Sequence, residues 1–299
     1  MGSFAGHILP GTIFLVMGIW SLYRQLERYF LHRKHVTLST NGKEGSRPYR
    51  TCITFSSSCC PNFPAEETTI IIVTIIGSVG EFVTAFEGNG EFRIGNAQHI
   101  TMYMFFNIAA SISILRHYRY PLPADIEYIC MSLAYFIEGL LFFYHLHGRP
   151  HMDVQVHIFL VYVTGFSTVA ALVEMKYRHN VIPALARAYF TCLQGTWFYQ
   201  VAFILYPPFG PTWDVNDHMQ IMLTTLIYAW HYGAMLGLGL LLGFIAYFKV
   251  KVMSPSEVLK NLEMGRVGLR ASRDASAALH GKCTDHCKYM IVSSDDEEV

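Results

Sequence analysis

The chain has 299 residues, of which 52% are hydrophobic and 15% charged, and its 22 basic and 22 acidic residues cancel at pH 7. A soluble domain of that size needs more surface charge, and a nucleic-acid-binding protein needs a basic excess. The apolar residues fall in blocks and mean hydropathy is +0.30, which is the composition of an all-α polytopic membrane bundle.

A bilayer core about 30 Å thick takes about 20 apolar helical residues per crossing, because every backbone polar group must be satisfied inside the segment. Seven stretches qualify: 6–24, 68–86, 97–115, 124–144, 154–175, 184–206 and 219–247; polar residues interrupt the third, fourth and sixth. Met1 to Ala5 lacks the basic start of a secretory signal peptide, so the first stretch is expected to remain as a span. The opening Met-Gly-Ser-Phe-Ala-Gly fails as a myristoylation signal, because Gly6 stands where Ser or Thr is wanted.

Basic residues set the orientation. Seven Lys and Arg lie in 24–50, two at Arg116 and Arg119, three at Lys176, Arg178 and Arg187, and eight after residue 248. The opposite side carries only Arg93 and Arg149. Positive loops stay in the cytosol, so seven helices are expected to run from an outer amino terminus to a cytosolic carboxyl terminus. Cys52, Cys59, Cys60, Cys283 and Cys287 then face the reducing side, with Cys130 and Cys192 in spans. A membrane domain over 1–248, with a mobile cytosolic loop at 35–67 rich in Ser, Thr, Gly and Pro, is expected to precede a largely disordered tail over 249–299. Palmitoylation of Cys59-Cys60 is the less favoured reading beside plain thiols.

The last helix repeats Gly233, Gly237, Gly239 and Gly243 at Gly-x-x-x-Gly spacing, which serves internal packing or a homodimer face. In the tail, Tyr289 to Val292 has the form read by sorting adaptors, Ser293-Ser294 precede acids that suit phosphorylation, and His280, Cys283, His286 and Cys287 are too tightly spaced for a usual zinc site. No Asn-x-Ser/Thr glycosylation sequon occurs. Glu87-Gly88-Asn89-Gly90 has no strand and helix around it to bind a nucleotide, and the basic flanks suit anionic lipid rather than nucleic acid.

Ionisable groups inside a membrane are costly and mark candidate function. The assigned orientation gathers Glu81, His99, Glu138 and Gln200 near the outer half, places seven of the 14 histidines outside, and leaves His231 near the middle. Glu138 and His145 share a helix face, Asp153 and His157 are four apart, and Asp217 and His231 differ by about 40° around a helix. Imidazole and carboxylate at one level suit a divalent metal such as zinc, with carboxylates orienting the ligands. The metal candidates are His99, His145, His147, His157, Asp217 and His231. Glu81 and Glu138 are the candidate catalytic bases of a hydrolase acting on a lipid-like substrate. Against this, Glu81, Glu138 and His231 equally suit a buried hydrogen-bond network, and His7, His147 and His151 suit an interfacial or solvated role. A cation or proton path and a non-enzymatic trafficking protein are the alternatives.

The residues resemble the transmembrane protein 45 family. The matching stretches are Gly6-His7 with Leu9-Pro10-Gly11, Gln98-His99 with Thr101-Met102-Tyr103, Glu138-Gly139 with His145-Leu146-His147, and Leu193-Gln194-Gly195-Thr196-Trp197-Phe198. Tyr206-Pro207-Pro208-Phe209-Gly210, Trp213-Asp214 with Asp217, and Trp230-His231-Tyr232 continue the match, which covers about 4–248. The resemblance implies a seven-helix protein of secretory-pathway (Golgi or endosomal) or plasma membranes and implies no reaction. His151 does not look like a family position, and the loop between the second and third helices lacks the histidine-bearing extension associated with the family.

Overall fold

The computed structural model describes residues 3–39, 48–55, 62–86 and 91–262. Seven helices follow the seven apolar stretches: α1 (Phe4–Ser39), α2 (Ala65–Thr84), α3 (Ile94–His117), α4 (Ile126–Tyr144), α5 (His151–Lys176), α6 (Val181–Leu205) and α7 (His218–Val252). Residues 255–262 form a further helical turn or two beyond α7. Five helices, α1, α2, α4, α5 and α7, are long and apolar enough to cross a membrane. α3 and α6 are as long but more polar, and α6 shows why: Arg187, Thr191 and Gln194 are all buried against neighbouring helices, not turned outward. α4, despite Glu127 and Glu138, passes on its run of Leu, Phe and Ile.

Each helix packs on the next in the order α1, α6, α5, α4, α3, α2, with α7 laid behind α1 and α6. The ring is not closed, since α1 and α2 scarcely approach each other along their backbones. The tightest approach is between α1 and α6, where glycines remove the Cβ that would hold the helices apart. A Cβ on Gly195 would stand 2.4 Å from the Leu15 backbone nitrogen, and one on Gly18 2.7 Å from that of Cys192. The Gly-x-x-x-Gly residues of α7 do less inside the fold: Gly239 and Gly243 sit 3.7 and 3.9 Å from Leu22 and Leu26 by the same construction, while Gly233 and Gly237 have open space before them.

Within the expected loop at 35–67, α1 continues to Ser39 and residues 48–55 pack into the end of the bundle that carries Arg24. Thr51 N donates to the Arg178 carbonyl at 2.7 Å, Gln25 Nε2 donates to the Cys52 carbonyl at 2.7 Å, and Ile53 and Phe55 are buried. Burial pushes the Cys52 thiol above its ordinary pKa, the Arg28 guanidinium opposing it. Cys52 is therefore expected to react with maleimide at neutral pH about tenfold more slowly in the folded protein than after denaturation, read by mass spectrometry of its peptide. Equal rates would mean that the segment is not seated. Cys59-Cys60, Glu87 to Gly90, and the tail with Tyr289 to Val292, Ser293-Ser294 and the His280 to Cys287 cluster lie outside the described residues.

Candidate functional site

One cavity runs along the gap in the ring, with about 1240 Å³ of space, its open side included. On α1 it is lined from Gly6 to Ser21 and on α2 from Glu66 to Glu81, so at 1.5 Å per residue it is roughly 22 Å long. Its middle is walled by Ile13, Phe14, Met17, Ile70, Met102 and Phe106, with Thr74, Tyr135 and Glu138 as the polar groups there.

The end near the α1 amino terminus is a cluster of histidines on four helices or their ends. His7 and His157 rings have centroids 5.9 Å apart, His145 and His157 6.4 Å, and His99 and His145 5.7 Å. Each is oriented through Nδ1. His7 donates to the Ser3 carbonyl at 2.9 Å and His157 to the Asp153 carbonyl at 2.8 Å, where the Asp153 carboxylate is equally close. His99 donates to Glu81 Oε1 at 3.1 Å, and His145 bonds Gln98 Oε1. Asn96 Nδ2 fixes Glu81 in turn at 2.8 Å. Arg149 holds the Asp153 carboxylate through Nη1 at 2.9 and 3.0 Å and reaches His145 Nε2 through Nη2. Just beyond the end of α4, burial first and the Arg149 guanidinium second push the His145 pKa down to about 4, so this imidazole is neutral at pH 7.

The metal candidates therefore divide. His99, His145 and His157 are brought together, and His7 joins them. His147, Asp217 and His231 are elsewhere. His147 is exposed past α4, Asp217 caps α7 by accepting from Met219 N at 3.0 Å, and His231 bonds Thr196 at 3.0 Å with its ring against Trp197. α7 lies behind α1 and α6, so it contributes nothing to the cavity lining. Among the described residues no three His, Cys, Asp or Glu side chains stand close enough to grip an ion as placed. Of the two candidate bases, Glu81 belongs to the histidine cluster, while Glu138 sits midway along the cavity, accepting from Gln194 Nε2 at 2.8 Å with Oε2 unpartnered.

Sequence reasoning missed the opposite end. There Glu174 and Arg187 pair at 2.7 Å, both buried, and Tyr128 donates to Glu174 at 2.9 Å. Arg178 stacks on Tyr128 at 4.6 Å and pairs with Asp125; although burial lowers its pKa, Tyr128 and Asp125 outweigh that and raise it. Trp20 Nε1 donates to Glu66 across the α1/α2 gap, and Phe55 N donates to the other Glu66 oxygen at 3.0 Å. The charged residues were visible, but nothing in their spacing announces partners on different helices.

The model of a family of unknown function (DUF716) matches residues 124–244. Transmembrane epididymal protein 1 of Rattus norvegicus is 24% identical over 236 residues, covering 77% of this chain and 76% of the relative. Transmembrane epididymal protein 1A of Mus musculus is 23% identical over 136 residues, 45% of each chain, and transmembrane epididymal protein 1 of Homo sapiens 23% over 152 residues, 50% of this chain and 55% of the relative. With five helices fit to cross a bilayer and relatives of this kind, the chain is an integral, multi-pass membrane protein.

Proposed function

We propose that this protein takes a lipid-like amphiphile from the bilayer into the cavity between α1 and α2 and holds its polar head at the histidine cluster. All seven helices span the membrane in this reading, including α3 and α6, whose polar groups are turned inward. The histidine end is outside and the Arg24 end cytosolic, as the positive-inside count supports. The resemblance to the transmembrane protein 45 family supports the same seven-helix plan in a secretory-pathway or surface membrane.

The observation that carries the reading is the cavity itself: mainly apolar along its middle, where Thr74, Tyr135 and Glu138 are the exceptions, more polar at its ends and open along one side between two helices whose outward residues, such as Val16 on α1 and Ile72 and Ile76 on α2, suit lipid. An apolar slot with a few convergent polar groups is the usual form of a small-molecule site. Glu81, bonded to both His99 and Asn96, is a positioning residue in this arrangement.

The test is photolabelling of the full chain in detergent with a photoactivatable fatty amine. Met17→Trp, which fills the slot, is expected to cut specific labelling about tenfold, the loss of roughly 1.4 kcal/mol of binding. Leu236→Trp, exposed on α7, is expected to leave labelling unchanged. Equal labelling of folded Met17→Trp and the unmodified chain would sink the reading.

One observation favours a second reading, passage of a cation or proton. Polar groups recur along the whole cavity, from Glu81 through Thr74 and Glu138 to Glu66 and Arg187. Proton flux in proteoliposomes that Glu138→Gln abolishes would favour it.

A further inference from the structure

Halfway along the cavity the chain leaves a buried polar pair incomplete. Glu138 is 2% exposed, Gln194 is fully buried, and Gln194 Nε2 donates to Glu138 Oε1 at 2.8 Å. Glu138 Oε2 and Gln194 Oε1 have no hydrogen-bond partner among the described residues, although Glu138 belongs to the cavity wall. The hydroxyls of this region are spent elsewhere. Thr74 donates to the Ile70 and Ile71 carbonyls at 2.8 and 3.0 Å, and Thr164 to those of Leu160 and Val161 at 3.0 Å. Thr191 donates to the Arg187 carbonyl at 2.9 Å, so the Tyr135 hydroxyl, 2.9 Å from Thr191, donates to Thr191. Tyr103 shares the wall and makes no bond to Glu138. A buried carboxyl oxygen without a partner is costly. What the chain does not supply, an occupant of the cavity can.

We propose that Glu138 binds a hydroxyl carried partway along the amphiphile, so that the ligand class is a long-chain amine with a chain hydroxyl roughly 10 Å from its head. This rests on the binding reading above and adds a second polar point to the ligand. A hydroxyl both donates and accepts, so it satisfies Oε2 whether the carboxyl group is ionised or protonated. A plain alkyl chain leaves Oε2 unmatched. The head end suits an amine, because His7 and His157 spend the Nδ1 hydrogen on the Ser3 and Asp153 carbonyls, which leaves Nε2 of the neutral ring an acceptor. Glu81 is the carboxylate in the wall there, while Arg187, the guanidinium in the lining, lies at the other end and is paired with Glu174. The spacing follows from α4: Glu138 stands on it and His145 caps it, which at 1.5 Å per residue sets them roughly 10 Å apart. An extended chain advances about 1.2 Å per bond, so the hydroxyl belongs about eight bonds from the amine, and the whole slot takes about 18.

The test labels the full chain in detergent with the photoactivatable fatty amine and lets octadecylamine and its monohydroxylated forms compete. A hydroxyl about eight carbons from the amine is expected to improve competition about tenfold over the plain amine, and one about three or about fourteen carbons away to give no such gain. Glu138→Leu should bring the ratio of alcohol to plain amine to about one, because no polar atom there then needs the hydroxyl. Gel filtration compares that variant with the unmodified protein. The positional series on the unmodified chain tests the proposal without any variant. Equal competition by the plain amine and the matched alcohol would overturn it, as would a preference that folded Glu138→Leu retains. If Met17→Trp labels as strongly as the unmodified chain, the binding reading falls and this proposal with it. If Met17→Trp loses labelling but the hydroxyl has no effect, this proposal falls alone.

Discussion

Gly195→Val is expected to abolish recovery of folded protein, because the new side chain would be driven into the backbone of α1 and not into a movable neighbour. The added Cβ alone lies 2.4 Å from Leu15 N and 2.7 Å from Leu15 Cα. Overpacking in a well-filled core costs about 1–3 kcal/mol when side chains can shift. Here two helices must part along the most extensive contact in the bundle, so the loss should reach or exceed the top of that range. Gly165→Ala is the opposite case, with open space before it on α5. It should be neutral or raise the melting temperature, since alanine favours helix by about 1 kcal/mol over glycine. Gel filtration and thermal unfolding of both variants read the contrast. A Gly195→Val protein as stable as the unmodified chain would show that α1 does not cross α6 at this point.

Removing the Glu174 carboxylate should be nearly as damaging. Glu174→Ala leaves Arg187 buried without its counter-charge and Tyr128 without its acceptor. Breaking a buried pair from one side costs about 3–5 kcal/mol, whereas replacing both partners by apolar groups is often close to neutral. The Glu174→Leu, Arg187→Met double variant should therefore recover a large part of the stability lost in Glu174→Ala. The comparison belongs in a double-mutant cycle followed by thermal unfolding. A loss under about 1 kcal/mol in the single variant would mean that water reaches the pair and screens it.

The two substitutions mark what could and could not be read before the fold was known. Helix positions were legible because a bilayer crossing calls for about 20 mostly apolar residues and each of the chain's seven apolar stretches became a helix, five of them apolar enough to cross. Helix neighbours were not. The glycines that the sequence advertises, at Gly-x-x-x-Gly spacing in α7, face open space or a loose contact, while the close crossing uses isolated Gly11, Gly18 and Gly195. Spacing within one helix predicted the Asp153 and His157 pair correctly, because four residues apart is a neighbour on any helix. The same reasoning put Asp217 and His231 on a shared face without revealing that this face turns away from the cavity. His7 gained its place from long-range packing that brings the start of α1 beside α5. The segment at residues 48–55 looked too polar to order, but its backbone is bonded by Gln25 and by the adjacent Arg178 and His179, groups from two distant parts of the chain.

If the cavity takes its ligand from the bilayer, as proposed, the open seam between α1 and α2 also changes what a concentration means for this molecule. A cavity entered sideways from the bilayer equilibrates with the lipid phase, where a long-chain compound is enriched by about 0.8 kcal/mol for each methylene it buries. Membrane composition, expressed as a mole fraction, then sets occupancy, and a compound nearly insoluble in water can still saturate the site. Two cells with the same amount of the protein and the same aqueous surroundings would differ in its loading if their bilayers differed.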